Sequence, residues 1–377
     1  MRNLKLFMTS ITGFMFAAFV GCGNGGPMKI PEYSLINKNI SKFWEQPFSQ
    51  ESEPHIAADY MHCIKTGNDY APQAVKIEIE NLENQEVQIS CTKDFSDYDT
   101  VISDGSTVVF DNLYTATHYF YRVKLGENNY SAIGEFRTAE SPRTISIDGL
   151  INTRDLGGYR TVNGKRVRQG LVYRGSSLER ITKSEHLLNK GLSTQGYEFM
   201  RYTLGICFEL DLVGSKQESS YKGAEWNFAS YTCPVYNLID DTETIASIIK
   251  EFAKKSNYPM YLHCSLGRDR TGEIALLLNA LLGVEYKTLV REYELSFFSV
   301  IGNENCDCFG GNWRSNQAQA EALLTNFYQI YNTIDNSFSD SKYPLFMDKT
   351  EAYLLSIGVL QDEINIIRQI MLEEIEN

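Results

Sequence analysis

Residues His263-Cys264-Ser265-Leu266-Gly267-Arg268-Asp269-Arg270-Thr271-Gly272 join a short apolar run, Met260 to His263, to a strongly apolar stretch from Thr271 to Leu282. The first run reads as a strand entering a loop. The second reads as a helix, for which Gly283 is a suitable C-terminal cap. Five residues separate Cys264 from Arg270. A strand-to-helix turn of this length aims successive backbone N–H groups inward, and the helix N-terminus adds positive potential. The centre of such a turn is a nest for a tetrahedral anion. A helix N-terminus also favours thiolate over thiol in a cysteine placed there. Arg270 can offer two parallel N–H donors to an anion's remaining oxygens. Gly267 lets the backbone approach closely, and the Thr271 hydroxyl can donate to the sulfur.

The rest of the chain is compatible with an anion site built from local donors only. Its 377 residues carry 35 Lys and Arg against 48 Asp and Glu, a net charge of −13. Nucleic-acid affinity comes mainly from Lys and Arg neutralising phosphates, so an acidic chain without a long basic run is a poor nucleic-acid binder. With 43% apolar and 22% charged residues it reads as globular, neither disordered nor a polytopic membrane protein. At roughly 100–200 residues per domain, two domains are expected. Eight cysteines are too few for a disulfide scaffold in so long a chain.

The N-terminus reads as an export signal. Arg2 and Lys5 precede an apolar run from Leu6 to Val20, short for a membrane span, followed by Gly21-Cys22 and the flexible Gly23-Asn24-Gly25-Gly26-Pro27. This resembles a bacterial lipoprotein signal, with Phe19-Val20 departing from its usual residues. The resemblance implies cleavage after residue 21, lipidation of Cys22, and attachment to a membrane on the periplasmic side or cell surface. Residues 22–50 are expected to be linker. Between 51 and 141 come short alternating runs such as Val75-Lys76-Ile77-Glu78-Ile79, Val87-Gln88-Ile89-Ser90-Cys91 and Ser106-Thr107-Val108-Val109-Phe110, the pattern of an all-β sandwich. Leu113-Tyr114-Thr115-Ala116-Thr117-His118-Tyr119 and the closing Gly134-Glu135-Phe136-Arg137-Thr138 resemble a fibronectin type III domain. That resemblance implies a Tyr119 hydroxyl bonded back to the backbone, and no catalytic residues. Ser141-Pro142 marks a boundary. From 142 to 377 strands alternate with helices. Ile206 to Leu212 reads as a buried strand, and Gln317 to Ile334 and Gln361 to Glu374 read as helices. The expected fold is α/β, a central sheet with helices on both faces.

The Cys-x5-Arg loop resembles that of cysteine-dependent phosphatases, and specifically the bacterial tyrosine-phosphatase-like family. The resemblance extends to Asn152-Thr153-Arg154-Asp155-Leu156-Gly157-Gly158-Tyr159, to Val172-Tyr173-Arg174-Gly175-Ser176, to Glu292-Tyr293-Glu294-Leu295-Ser296 and to Ala352-Tyr353-Leu354 with Gly358-Val359. It implies phosphomonoester hydrolysis through a phosphocysteine on Cys264. Arg270 and the loop residues Ser265, Leu266, Gly267, Arg268, Asp269 and Thr271 would hold the phosphoryl group, with no cofactor or metal. Outside the loop, a buried turn network is the expected role of Arg154 and Asp155. Where the family usually has Asp-Leu-Arg this chain has Asp211-Leu212-Val213, and Arg268 stands where many members have Lys.

The reaction needs a carboxylic acid for the leaving oxygen, which then acts as base for water. The position aligning with the family acid is Asn237, which cannot titrate; Asp240 is the expected substitute, with Asp241, Asp211 and Asp269 as alternatives. Phosphotyrosine in protein is the expected substrate. Phosphoinositides or inositol phosphates form a second possibility, because Arg154, Arg160, Arg166, Arg168 and Arg174 could border the loop beside Arg268; a weak phospho-binding or adhesion protein is a third. Cys306-Asp307-Cys308 lacks a second pair to complete a zinc site, Cys63 and Cys91 could form a disulfide, and His55, His62, His118 and His186 show no ligand spacing.

Overall fold

The computed structural model describes residues 29–46, 70–80, 82–183, 186–214, 216–235, 237–299 and 324–375. The signal segment, Cys22, His55, His62, Cys63 and the Cys306–Cys308 pair lie outside these residues. The chain divides into two compact units, one formed by residues up to Leu35 with Pro72–Ser141, the other by Ile36–Ala71 with Pro142–Asn377.

The first unit is built from β1 (Glu32–Tyr33), β2 (Val75–Glu78), β3 (Glu86–Ser90), β4 (Asp99–Ile102), β5 (Thr107–Phe110), β6 (His118–Gly126), β7 (Asn129–Tyr130) and β8 (Gly134–Thr138). Strands run in the order β1-β8-β6-β3-β4, with β7 beside β6, and β2 pairs with β5 in a separate ladder. Alternation decides which side chains are buried: Val75 and Ile77 point inward, Lys76 and Glu78 outward. Val87, Ile89, Val101, Val108, Phe110, Tyr119 and Phe136 complete one hydrophobic core. The Tyr119 hydroxyl accepts a hydrogen bond from the Tyr114 N–H at 2.8 Å, and its ring stacks on Phe136. Cys91 is a free thiol.

The second unit begins earlier than the sequence suggests. Within the expected linker, Lys38–Glu45 forms helix α1. Ile36, Ile40 and Phe43 lie four and three residues apart on one face, and all are buried in this unit's main core. The Phe43 ring lies 4.8 Å from Phe298.

The sheet of this unit uses β9 (Arg154–Asp155), β11 (Val172–Gly175), β14 (Phe208–Asp211), β15 (Asn227–Ser230) and β16 (Met260–His263), in the order β15-β14-β16-β11-β9. The first four are parallel and β9 is antiparallel at the edge. Two small ladders lie outside it, β10 (Lys165–Val167) with β17 (Leu372–Glu374), and β12 (Ile181–Lys183) with β13 (His186–Asn189). Every residue of β11, β14 and β16 is buried, as expected of parallel strands covered on both faces. Met260 and Leu262 face the larger core and Tyr261 a smaller one with Met200, Leu204 and Ile206. The smaller core is covered by α2 (Thr194–Glu198), which runs on as one π turn, Phe199–Thr203. The larger core is covered by α3 (Thr242–Glu251), α4 (Asp269–Leu281), α5 (Tyr286–Glu294), the short α6 (Ser296–Ser299), α7 (Thr325–Ser337), α8 (Phe346–Ser356) and α9 (Gln361–Met371). The fold is α/β.

Every residue of α4 from Arg270 onward is buried, which makes it the central helix. The expected helix from Gln361 ends at Met371, because Leu372–Glu374 instead pairs with Lys165–Val167 as β17. The central strand β16 therefore delivers Cys264 at the carboxyl end of a parallel sheet, where open α/β sheets place their ligands.

Candidate active site

Trans peptides fix the direction of the loop's donors. The Ser265 carbonyl accepts from the Ser177 N–H at 3.0 Å. Those of Leu266 and Gly267 accept from Asn152 Nδ2 at 3.2 and 2.9 Å, and that of Gly267 also accepts from Arg174 Nη2 at 2.6 Å. In a trans peptide a carbonyl and the next N–H point in opposite directions. With these three carbonyls turned outward and bound, the amides of Leu266, Gly267 and Arg268 turn toward the other side of the loop. Gly267 has φ +67, and any Cβ there would run into the Gly175 carbonyl, so the turn requires glycine. Helix α4 starts directly after it, with the Gly272 N–H donating to Arg268 O at 2.9 Å.

Cys264 lies at the start of this loop and is 3% exposed. The Arg270 guanidinium is positioned by two neutral acceptors, Nη1 to the Leu212 carbonyl at 3.0 Å and Nη2 to Ser265 Oγ at 3.1 Å. Leu212, in the segment where the sequence lacks an arginine, thus serves through its backbone. The Thr271 hydroxyl is buried without a partner among the described residues. Arg268 forks onto its neighbour Asp269, Nε to Oδ1 at 3.1 Å and Nη2 to Oδ2 at 3.0 Å.

Beneath the loop lies a buried ionic network. Glu292 on α5 accepts from Arg154 Nε at 2.7 Å and from Arg174 Nη1 at 2.9 and 2.8 Å. Arg154 also reaches the Glu292 carbonyl and Ser296 Oγ, both at 3.0 Å, and the Asn152 side chain. Burial pushes the Glu292 carboxyl up, but the two guanidiniums outweigh it and hold the carboxyl below its ordinary range. Burial and the Arg154 charge lower Arg174. Asp155, expected in a turn network, accepts from Arg143 Nη1 at 2.8 Å and from the Gly157 and Gly170 amides.

His263, just before the cysteine, pairs through Nε2 with Glu209 Oε1 at 3.0 Å, and Trp226 Nε1 donates to Glu209 Oε2 at 2.8 Å. Burial lowers the imidazole, yet Glu209 and Asp211 raise it past its ordinary value and favour imidazolium.

The four candidate acids occupy different surroundings. Asp211 is fully buried, accepting from the Val213 amide at 2.7 Å, with Lys216 Nζ 3.8 Å away. Asp241 caps α3 through the Thr244 N–H at 3.2 Å. Asp240 is exposed at the end of the turn Leu238–Asp240, and its charge acts on the Tyr353 hydroxyl. Asp269 belongs to the loop itself, with its side chain 18% exposed. Asn237 takes a left-handed conformation and accepts from Gln329 Nε2 at 2.7 Å.

Four of the five arginines offered by the sequence as a second phosphate site are committed elsewhere. Arg154 and Arg174 serve the buried network, Arg166 pairs with Glu373 at 2.7 Å, and Arg168 donates to the Ile370 and Leu372 carbonyls. Among the described residues no group of three or more His, Cys, Asp or Glu side chains could hold a metal ion, and no helix is long and apolar enough to cross a membrane. Sequence reasoning missed the loop-holding roles of Asn152 and Arg174, for which the resemblance of their segments was the available signal. It also missed Glu209 and Glu273, each signalled by a carboxylate inside an apolar strand or helix.

A cysteine and an arginine thus flank a strand–loop–helix turn whose amides face away from its bound carbonyls, a candidate anion site. The tyrosine phosphatase family model matches residues 145–195 and 210–373, over half of the chain, and the chain belongs to that family. A Cupriavidus necator protein provisionally named a tyrosine-protein phosphatase is 25% identical over 181 residues, which cover 40% of this chain and 61% of that protein. The chain thus spans less than two thirds of that relative. The core catalytic domain of the PP-IP phosphatase SIW14 from S. cerevisiae, solved in complex with citrate, is 14% identical, with 45% of this chain and 88% of that chain covered and a TM-score of 0.27.

Proposed function

We propose that this protein is an exported, lipid-anchored phosphomonoesterase that hydrolyses phosphotyrosine in proteins. The reading rests on one observation: in the loop that follows Cys264 the carbonyls of Ser265, Leu266 and Gly267 are tied outward, which turns three amides to the other side, and Arg270 is held by neutral acceptors. In the reaction the Cys264 thiolate attacks phosphorus and the P–O ester bond breaks. The leaving oxygen takes a proton from a carboxylic acid. Water then attacks the phosphocysteine, the same carboxylate accepts the water proton, and the P–S bond breaks to return thiolate and phosphate. The amides and the Arg270 fork stabilise the charge on the equatorial oxygens throughout. We assign the acid to Asp269, the one candidate within the loop and partly open to solvent, ahead of Asp240, which the sequence put first and which lies in the turn Leu238–Asp240. Phosphotyrosine is favoured over inositol polyphosphates because the neighbouring arginines already have structural partners. A phosphorylated lipid headgroup is the alternative substrate.

The β unit fits a fibronectin type III-like module, supported by the Tyr119 hydroxyl bonded to the Tyr114 amide. The Leu6–Val20 run and Cys22 support export and a lipid anchor on the periplasmic side or surface of a bacterial cell.

Replacing Cys264 by Ser tests the chemistry. Turnover of a phosphotyrosine peptide should vanish while the peptide still binds, because a hydroxyl keeps the loop's shape but is far less nucleophilic. Undiminished hydrolysis would remove the mechanism.

A further inference from the structure

Glu273 lies on α4 one turn beyond Arg270, and no step of the proposed reaction uses it. Its residue is 1% exposed, and among the described residues both carboxyl oxygens lack a hydrogen-bond partner. A buried carboxylate left in that state would be strongly destabilising, so the site favours the neutral acid. Spacing of three residues puts Glu273 on the helix face next to Arg270.

The charged groups acting on Glu273 are Asp269 and Arg270 on its own helix. Cys233, from the segment after β15, and Tyr293, on α5, face it as further titratable groups. Burial first, then the Asp269 charge, pushes its carboxyl up to about 8, while Arg270 pulls the other way. At pH 7 the neutral acid is therefore the main form of Glu273. Arg270 meanwhile rests on a carbonyl and a hydroxyl, both uncharged, so its full positive charge is open to an incoming oxyanion.

We infer that Glu273 is a positioning residue that sets the alkaline limit of oxyanion binding: on losing its proton it becomes a competing counter-ion for Arg270 and weakens the hold on the phosphoryl group. The inference deepens the phosphatase reading and rests on it for biological meaning, but its test needs no turnover.

Tungstate is a suitable probe, being a tetrahedral dianion throughout the range that matters. Its dissociation constant would be measured by calorimetry from pH 6.5 to 9.5. In the native protein, affinity should fall about tenfold or more with a midpoint near pH 8, since a charge one helical turn away in a buried site is poorly screened. Glu273→Gln copies the neutral acid, so its affinity should match the native value at pH 7 and lose the alkaline fall. Glu273→Asp keeps a titrating group and should keep the fall, which separates charge from packing. Identical pH profiles in native protein and Glu273→Gln would overturn the inference. Should Gln not fold, Glu273→Leu at the same pH values serves the same comparison. Tight, pH-sensitive tungstate binding without any turnover would leave this inference standing and defeat the phosphatase reading alone.

Discussion

Glu292→Gln should loosen both the catalytic unit and its loop. Glu292 is shared by two buried guanidiniums, and it receives Arg154 Nε at 2.7 Å and Arg174 Nη1 at 2.9 and 2.8 Å. Glutamine keeps one acceptor oxygen but turns an NH2 toward those donors and leaves two buried cations without their counter-ion. Removing one partner of a buried pair costs about 3–5 kcal/mol. At about 2–4 °C per kcal/mol for a domain of this size, the melting temperature should fall by about 6–20 °C. Trp44 and Trp226 belong to the second unit and residues 72–141 contain no tryptophan, so tryptophan fluorescence follows the second unit's melting and not the β unit's. The pH dependence has a definite sign. A carboxyl held below its ordinary value contributes stability above the unfolded-state range and loses it as pH falls through the folded value. The native protein should therefore lose more stability on acidification than Glu292→Gln. Because Arg174 also holds the Gly267 carbonyl, tungstate affinity should drop with it. A melting shift under about 2 °C, less than 1 kcal/mol by the same conversion, with unchanged tungstate binding, would refute the claim that this network holds the loop.

Three further outcomes are expected. Asp269→Asn should lower kcat by about 10²–10⁴ and flatten the acid's limb of the pH profile; if Asp240→Asn does so and Asp269→Asn does not, the proton comes from outside the loop. Tyr119→Phe removes the acceptor for the Tyr114 amide and should cost the β unit about 1–3 kcal/mol, seen as a lower calorimetric transition with the tryptophan signal unmoved. Cys22→Ala should release the protein from the membrane fraction, and unchanged association would remove the lipid-anchor reading.

What could be read from the sequence was local. The loop from Cys264 to Arg270, its strand and its helix lie within about twenty consecutive residues, and spacing alone carries their geometry. Alternation likewise revealed the strands of the β unit, because each strand displays its own pattern. The short α1 was passed over as linker: Ile36, Ile40 and Phe43 signal a face, but eight residues carry too little periodicity to declare what that face packs on. At the other end, Leu372–Glu374 continues the spacing of α9, and only pairing with the distant Lys165–Val167 pulls it into a strand.

The same distinction explains why the arginines misled. Arg154, Arg166, Arg168 and Arg174 cluster in sequence and suggest a second anion site, yet their anions, Glu292 and Glu373, are supplied from more than a hundred residues away. A cation's availability depends on what the fold brings to it, and sequence proximity to a phosphate loop says little about that. Arg270 differs because its two acceptors are neutral, one the Leu212 carbonyl and one the Ser265 hydroxyl five residues back. Glu292 neutralises the arginines that support the loop, and burial pushes the Glu273 carboxyl, one turn beyond Arg270, up to about 8. Among the described residues the Arg270 guanidinium is thus held by neutral acceptors alone, which is the condition a phosphoryl group requires.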